Sequence, residues 1–407
     1  MGTSTPDARL LTRIALRNYK SIAACDVRPT QLSFLVGPNG AGKSNFLDAL
    51  RFVADALRFS LDHALRDRGG INEVRRRSSG HPTHFGIRLE FSLDKGHGHY
   101  AFEVGAGSRG AYTIRQEECY RTGHASDASA FYKVENGRVV YSTLSPAPAA
   151  ARDRLYLVAL SGPTVYRPLY DALSQMGFYN LDPHAIRDLQ PPDPGELLNR
   201  DGSNIASVFS NLAIRSPKLK ERIEEYLAKV SPGISGVERF EIGPKETLRF
   251  SQEIKGAKHP WRFLAANMSD GTLRALGVLV ALFQGAASDH RTRRLVGIEE
   301  PESALHPAAA SVLRDSLEDA AGYAQILVTS HSPDVLDDDS IPDDSVLAVV
   351  AESGETKIGR LDEAGRSALR DRLFTAGELL RMDQLRPDPH EIVVAEQLKL
   401  FGRNPKS

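Results

Sequence analysis

The chain has 407 residues with 51 Lys and Arg against 52 Asp and Glu, a formal net charge of −1; no global basic field recruits nucleic acid, and any such contact has to come from a local patch. Hydrophobic content of 41% and charged content of 25% are those of an ordinary globular protein, long enough for one elaborate domain or a large and a small one. Two cysteines far apart, Cys25 and Cys119, exclude a disulfide scaffold and a cysteine zinc site and point to a reducing compartment.

The first residues, MGTSTPDARLLTR, lack a signal-peptide apolar core, and no run approaches the ~20 apolar residues of a membrane span; the expected location is the cytoplasm. Residues 12–17 read as a first strand and 18–21 as a turn. The apolar run 32–36 reads as a buried strand. It leads into Gly37-Pro38-Asn39-Gly40-Ala41-Gly42 and then Lys43-Ser44-Asn45. Phe46, Leu47, Leu50, Val53, Ala54 and Leu57 follow at helical spacing. Strand, glycine loop and helix in that order are the context a GxxxxGK[ST] phosphate loop requires. Glycines let backbone N–H groups turn inward, and the helix N-terminus adds partial positive charge. Lys43 is expected to reach the β- and γ-phosphates and the Ser44 hydroxyl to ligate Mg²⁺, so the chain is read as binding a nucleoside triphosphate.

A second helical segment is expected near 58–66. The stretch 66–77, RDRGGINEVRRR, sets five arginines against Asp67 and Glu73. It reads as a solvated loop, the alternative being a nucleic-acid phosphate contact through Arg66, Arg68, Arg75, Arg76 and Arg77. From 84 to 141, alternating segments separated by turn glycines predict an antiparallel sheet. His81, His84, His97 and His99 lie in turns there with no cysteine or carboxylate pattern, and are not read as a metal site. After a Pro/Ala-rich connector at 143–153, helical patterns prevail to about residue 229, and strands resume at 237–242, 247–254 and 261–264. The expected division is an N-terminal lobe (1–145), a helical lobe (146–236), a C-terminal lobe (237–375) and a short polar tail (376–407). No repeat or sustained heptad pattern occurs.

The last third carries further chemistry. Asn267-Met268-Ser269-Asp270-Gly271-Thr272 opens an apolar helix, either a plain cap or a second anion site. The apolar run 293–298 ends in Glu299-Glu300-Pro301-Glu302. Beside a phosphate loop, Glu299 is expected to hold the metal and Glu300 to orient the attacking water. A helix over 307–320 and a strand over 324–328 lead to His331, at a strand end where α/β sheets place ligand-contacting residues. The acidic run 334–344 reads as a solvated loop.

In order, GPNGAGKS, MSDGT, GIEEPESALHP and TSHSP resemble the Walker A, signature, Walker B with D-loop, and His-switch motifs of ABC-type ATPase heads. The likeness is to the soluble RecF/SMC/OLD-like branch of the broadly AAA-family ATPases, which LTRIALRNYKSI and EEPESALHP also fit. It covers residues 10–60 and 260–350 closely and the intervening lobe only in general layout.

The resemblance implies an α/β P-loop NTPase head. Such a head has a mixed core sheet with flanking helices, an antiparallel β subdomain and a helical lobe. It also implies ATP and Mg²⁺ as ligands, and a head-to-tail homodimer in which Ser269 and Gly271 of one subunit touch the γ-phosphate held by Lys43 of the other.

Several features depart from the family pattern. The signature is MSDGT rather than LSGGQ, and Glu299 stands where many relatives carry Asp. The Q-loop glutamine stays open among Gln116, Gln175 and Gln190. The absence of heptads leaves no long arms, and the 76 residues after His331 lack the Toprim nuclease pattern, so cleavage would belong to a separate effector.

The expected function is an ATP-hydrolysing, dimerising switch on DNA or a DNA-processing partner, in genome maintenance or phage defence. The alternative is a regulatory ATPase subunit of a toxin or nuclease pair with little DNA contact. The signature and the lack of membrane spans speak against a transporter ATPase.

Overall fold

The computed structural model describes residues 9–78, 82–94, 96–123, 129–287 and 294–402. Along the chain, β1 (Leu11–Tyr19), β2 (Ile22–Val27) and β3 (Leu32–Val36) precede α1 (Lys43–Arg58), α2 (Leu61–Arg66) and α3 (Ile71–Val74). Five strands follow: β4 (His84–Leu93), β5 (Gly96–Ala106), β6 (Tyr112–Arg121), β7 (Ala130–Glu135) and β8 (Arg138–Ser142). Next come α4 (Tyr156–Ala159), α5 (Arg167–Ser174), β9 (Gly177–Tyr179), α6 (Pro183–Arg187), α7 (Ile205–Arg215) and α8 (Pro217–Val230). The hairpin strands β10 (Ile234–Ile242), β11 (Lys245–Gln252) and β12 (Trp261–Leu264) lead to α9 (Asp270–Phe283). The chain then runs through β13 (Leu295–Glu299), α10 (Ala310–Ala321), β14 (Gln325–Ser330), β15 (Val346–Glu352) and β16 (Glu355–Arg360). It closes with α11 (Glu363–Arg370) and α12 (Ala376–Arg381).

The core sheet has the order β16-β15-β3-β14-β13-β9, parallel throughout except for β16. Its strands are apolar on both faces, as a parallel sheet covered on both sides requires. Successive side chains alternate between two cores. Leu35, Leu327, Leu347 and Val349 join a cluster with Phe46, Leu50 and Phe52 of α1, and with Ile14, Ile87 and Phe102 of the antiparallel sheet. Phe34, Val36, Ile326, Val328 and Ile298 face the other way, into a cluster built by α7, α8, α9 and α10. Helix α1 is therefore sandwiched between the core sheet and the seven-stranded antiparallel sheet β2-β1-β4-β5-β6-β7-β8. Phe52 meets Phe85 edge-on there, with ring centroids 5.3 Å apart. The expected mixed core sheet, flanking helices and antiparallel sheet are present.

Four local expectations need revision. The stretch 146–236 is not wholly helical. Three of its residues form β9, the edge of the core sheet beside β13, a strand too short to show periodicity. The basic stretch is not a free loop, since Arg68 and Arg76 are buried. Arg68 bonds Asp48 and Asp55 of α1, each at 3.0 Å, and lies 5.3 Å over the Phe52 ring. Burial pushes the Asp48 carboxyl up, but Arg68, Lys20 and Arg51 together outweigh it and hold it at about 2. Arg76 bonds Glu355 at 2.6 Å and Ser21 O at 3.0 Å. Arg68 could reach a DNA phosphate only by giving up the half-buried Asp48 and Asp55 carboxylates and Ala64 O, and Arg76 only by giving up Glu355 and Ser21 O; Arg66 and Arg77 remain exposed, and Arg75 is half-buried.

The acidic run is partly organised, with Arg381 of α12 on Asp334 and Asp337 and Arg314 on Asp338. The tail is not merely polar. Leu398 and Leu400 are buried against Ala15 and Ala24, and Arg88 donates to Leu400 O at 2.8 Å. Of the four histidines, His99 pairs with Glu118 at 2.9 Å, His84 lies 3.1 Å from Arg115, His97 bonds Thr122, and His81 lies outside the described residues.

Candidate active site

Three neighbouring parallel strands deliver the site. In register, Glu299 of β13 stands beside Thr329 of β14, and Ser330 of β14 beside Val36 of β3. The loops carrying Gly37, His331 and Glu300 therefore leave the same edge of the sheet side by side, the position where open α/β sheets bind ligands.

The phosphate loop turns through Gly40 at φ 78° and Gly42 at φ 103°. Gly42 is also the N-cap of α1, which has no side-chain cap and no acidic residue in its first turn. A sixteen-residue helix thus presents unsatisfied N–H groups and the positive end of its dipole to the loop. Lys43 is buried and its Nζ donates to Gly37 O at 2.7 Å and Pro38 O at 3.0 Å. Burial lowers the pKa of this ammonium, while the Glu300 and Glu302 carboxylates act to raise it. Ser44 is exposed beside it, as are Asn39 and Gly40. Asn45 turns its amide away, to Ser21 Oγ at 2.7 Å, and so braces the loop from behind. An uncapped helix, a buried ammonium and a free hydroxyl fit a phosphate with its Mg²⁺. No acidic group in the first turn opposes the anion.

Glu299 Oε1 accepts from Arg200 at 2.7 Å, which leaves the second carboxylate oxygen for a metal. Glu300 is held at φ 44°. Its N–H donates to Thr329 O at 3.0 Å and lies 3.2 Å from Thr329 Oγ1, and its Oε1 lies 3.2 Å from His331 Nδ1. Glu302 accepts from Ser330 Oγ at 2.7 Å and from the His331 N–H at 3.3 Å, fixing the turn that carries the histidine. Glu302 Oε2 is buried without a hydrogen-bond partner among the described residues.

Ser269 caps α9, accepting from the Thr272 N–H at 3.2 Å, and is exposed together with Asp270. A Cβ on Gly271 would approach Ala304 O to 2.7 Å, so only glycine lets this turn rest on the segment after Glu300. Arg187 bonds Met268 O and Asp270, and that hydrogen bond holds the Asp270 carboxyl below its ordinary range. Among the described residues, no hydrogen bond or ion pair joins Ser269 or Gly271 to Lys43 or Ser44.

Two contributors escape a sequence reading. Arg274, buried in α9, donates to Leu181 O, to Glu299 O at 3.3 Å and to Glu300 O at 2.9 Å, tying α9 to the end of β13. A lone arginine inside an otherwise apolar helix was its signal. Arg200 on Glu299 had none. Asn180, which is exposed, follows Tyr179, which pairs with Ile298, and so stands level with Glu299. The glutamines left open for the Q-loop lie away from this strand end. Gln116 is in β6 and Gln175 ends α5, while Gln190 is buried on Ala185 O, Gly202 O and the Ala206 N–H.

A protein family described as "AAA domain, putative AbiEii toxin, Type IV TA system" matches residues 32–337, about three quarters of the chain. No curated protein matches the sequence. Among solved structures, an Smc head bound to the C-winged helix domain of ScpA superposes with a TM-score of 0.54 at 15% identity, covering 86% of this chain and 96% of that one. A second Smc head with an extended coiled coil, bound to the C-terminal domain of ScpA derived from Pyrococcus furiosus, gives 0.56 at 12% identity, covering 89% and 99%. At these identities the likeness is one of fold. No helix among the described residues is long and apolar enough to cross a membrane.

Proposed function

We propose, from the premise that the chain belongs to this AAA-domain family and has the ATPase-head fold of the SMC/RecF-like branch, that it binds and hydrolyses ATP and dimerises around two nucleotides to work a conformational switch. The observation that carries the reading is the convergence of Lys43, Glu300 and His331 at one sheet edge, with Ser269 exposed and neither it nor Gly271 hydrogen-bonded to Lys43 or Ser44 among the described residues. Ser44 and Glu299 would hold Mg²⁺, which would supply charge neutralisation of the phosphates. The loop N–H groups and Lys43 bind the phosphates. Glu300 takes the proton of the attacking water. His331 orients that carboxylate, and Glu302 orients His331. Arg274 couples the signature helix to the backbone of Glu299 and Glu300, so closure of a partner subunit on Ser269 is felt where water is held.

The expected result is an ATPase rate per subunit that climbs with protein concentration and levels off when the dimer is saturated. A constant specific rate across the monomer–dimer range would refute completion of the site by a second copy.

The output of the switch, on DNA or on a protein partner, has two readings. The burial of Arg68 and Arg76 and the toxin-type family description favour a regulatory ATPase subunit paired with a separate effector over direct DNA binding. Three arginines of the basic stretch remain reachable, so DNA affinity through it is expected to vary with salt at a log–log slope no steeper than about −2.7. Titrating duplex DNA at several salt concentrations checks this. A steeper slope that falls by about 1.8 on replacing Arg75 and Arg77 would restore the DNA reading.

A further inference from the structure

The C-terminal hairpin β15–β16 walls the phosphate loop although it lies more than three hundred residues further along the chain. A Cβ on Gly37 would sit 1.9 Å from Val349 O, and one on Gly42 would sit 2.0 Å from Thr356 Oγ1. Thr356 is 2% exposed. Its hydroxyl donates to Ala41 O at 2.8 Å and shares a 2.7 Å hydrogen bond with Ser21 Oγ. Ser21 Oγ accepts from Asn45 Nδ2 at 2.7 Å.

A threonine hydroxyl has one proton, and here it goes to Ala41 O. The proton between Ser21 and Thr356 is therefore the serine's. The chain runs in one direction, from Asn45 to Ser21 to Thr356 to the phosphate-loop carbonyl. The turn that presents Ser21 is held in its own right, by Thr356 N–H on Ser21 O at 3.0 Å and by Arg76, which bridges Ser21 O and Glu355.

We propose that Thr356 is a positioning residue of the nucleotide site. Its hydroxyl fixes the Ala41 peptide, and with it the inward N–H groups of the loop, in the phosphate-receiving arrangement before nucleotide arrives. The inference rests on the reading that this loop binds ATP. Thr356 acts through Ala41 and stands on a different strand from Glu300 and His331, so it governs affinity and leaves the chemical step alone. A buried network of this kind is worth more as a unit than its members suggest.

The test is Thr356→Val, which keeps the shape and removes the hydroxyl, measured by ADP calorimetry, steady-state ATPase and nucleotide-free melting. The ADP Kd and the KM for ATP are expected to rise about tenfold, ~1.4 kcal/mol, with kcat within about twofold of the unaltered protein. Thr356→Ser is expected to restore both. Ser21→Ala leaves the bond from Thr356 to Ala41 O and should give a smaller rise, and the double variant no more than Thr356→Val alone.

A Thr356→Val protein that melts earlier yet binds ADP normally would show a purely structural threonine and overturn the inference. Were that variant not to fold, normal ADP affinity in Thr356→Ala would overturn it equally. Failure of the unaltered protein to bind ADP would remove the proposed function, and this inference with it.

Discussion

Replacing Lys43 with alanine is expected to weaken ATP binding severely while leaving the fold intact. The ammonium sits where three things meet: the carbonyls of Gly37 and Pro38, the open N-terminus of α1, and the carboxylates of Glu300 and Glu302, whose field reaches it. A phosphate entering the loop finds attraction from the first helical turn and from Lys43, and repulsion from the two glutamates. Removing the ammonium takes away the charge-assisted donor and leaves the repulsion unbalanced. Truncating one member of a close, desolvated charge pair costs about 2–5 kcal/mol, roughly thirty- to several-thousand-fold in Kd. Calorimetric titration with ATP and ADP measures this, with circular dichroism as the control on folding. An affinity within a few-fold of the unaltered protein would mean that the loop N–H groups alone hold the nucleotide.

The strand–loop–helix around Lys43 was legible because its signals are local. The apolar run, the glycines and the helical periodicity lie within one stretch, and the structure starts β3 and α1 where they indicate. The same holds for Ser269, whose cap is made three residues away, and for Glu300 and His331, each at the end of an apolar strand.

What escaped depends on partners distant in sequence. Charge in the 66–77 stretch says nothing about where the compensating carboxylates are. Asp48 and Asp55, two turns apart on α1, take Arg68 inside. Thr356 reads as an ordinary strand residue until β16 is laid against the phosphate loop. Strand β9 has three residues, below the length at which alternation can be read, and its place beside β13 fixes both Asn180 and the loop that carries Arg200. The tail reads as polar because the few apolar residues that dock it, Leu398 and Leu400, are spaced for an extended chain crossing a sheet rather than for a helix.

Glu300→Gln is expected to bind ATP at least as tightly as the unaltered protein, to hydrolyse it about 10²–10⁴-fold more slowly, and to accumulate as a nucleotide-bound dimer. The side chain is aimed by its backbone. Its N–H bonds Thr329 O and Arg274 holds its carbonyl, which keeps the residue at φ 44°, a conformation most side chains avoid at a cost of about 1–3 kcal/mol. That strain persists because the neighbouring strand and α9 both enforce it, and it delivers the carboxylate to within 3.2 Å of His331 Nδ1. Glutamine preserves every one of these backbone contacts and nearly the same volume, so positioning survives and only the proton acceptor is lost. It also deletes a negative charge whose field reaches Lys43, which is why affinity is not expected to fall. Single-turnover hydrolysis and size-exclusion chromatography with ATP separate the two effects. Undiminished turnover would strip Glu300 of its role as base. Slow turnover without dimer accumulation would keep the base but detach hydrolysis from dissociation, since a switch that opens on hydrolysis must stay shut when hydrolysis is blocked.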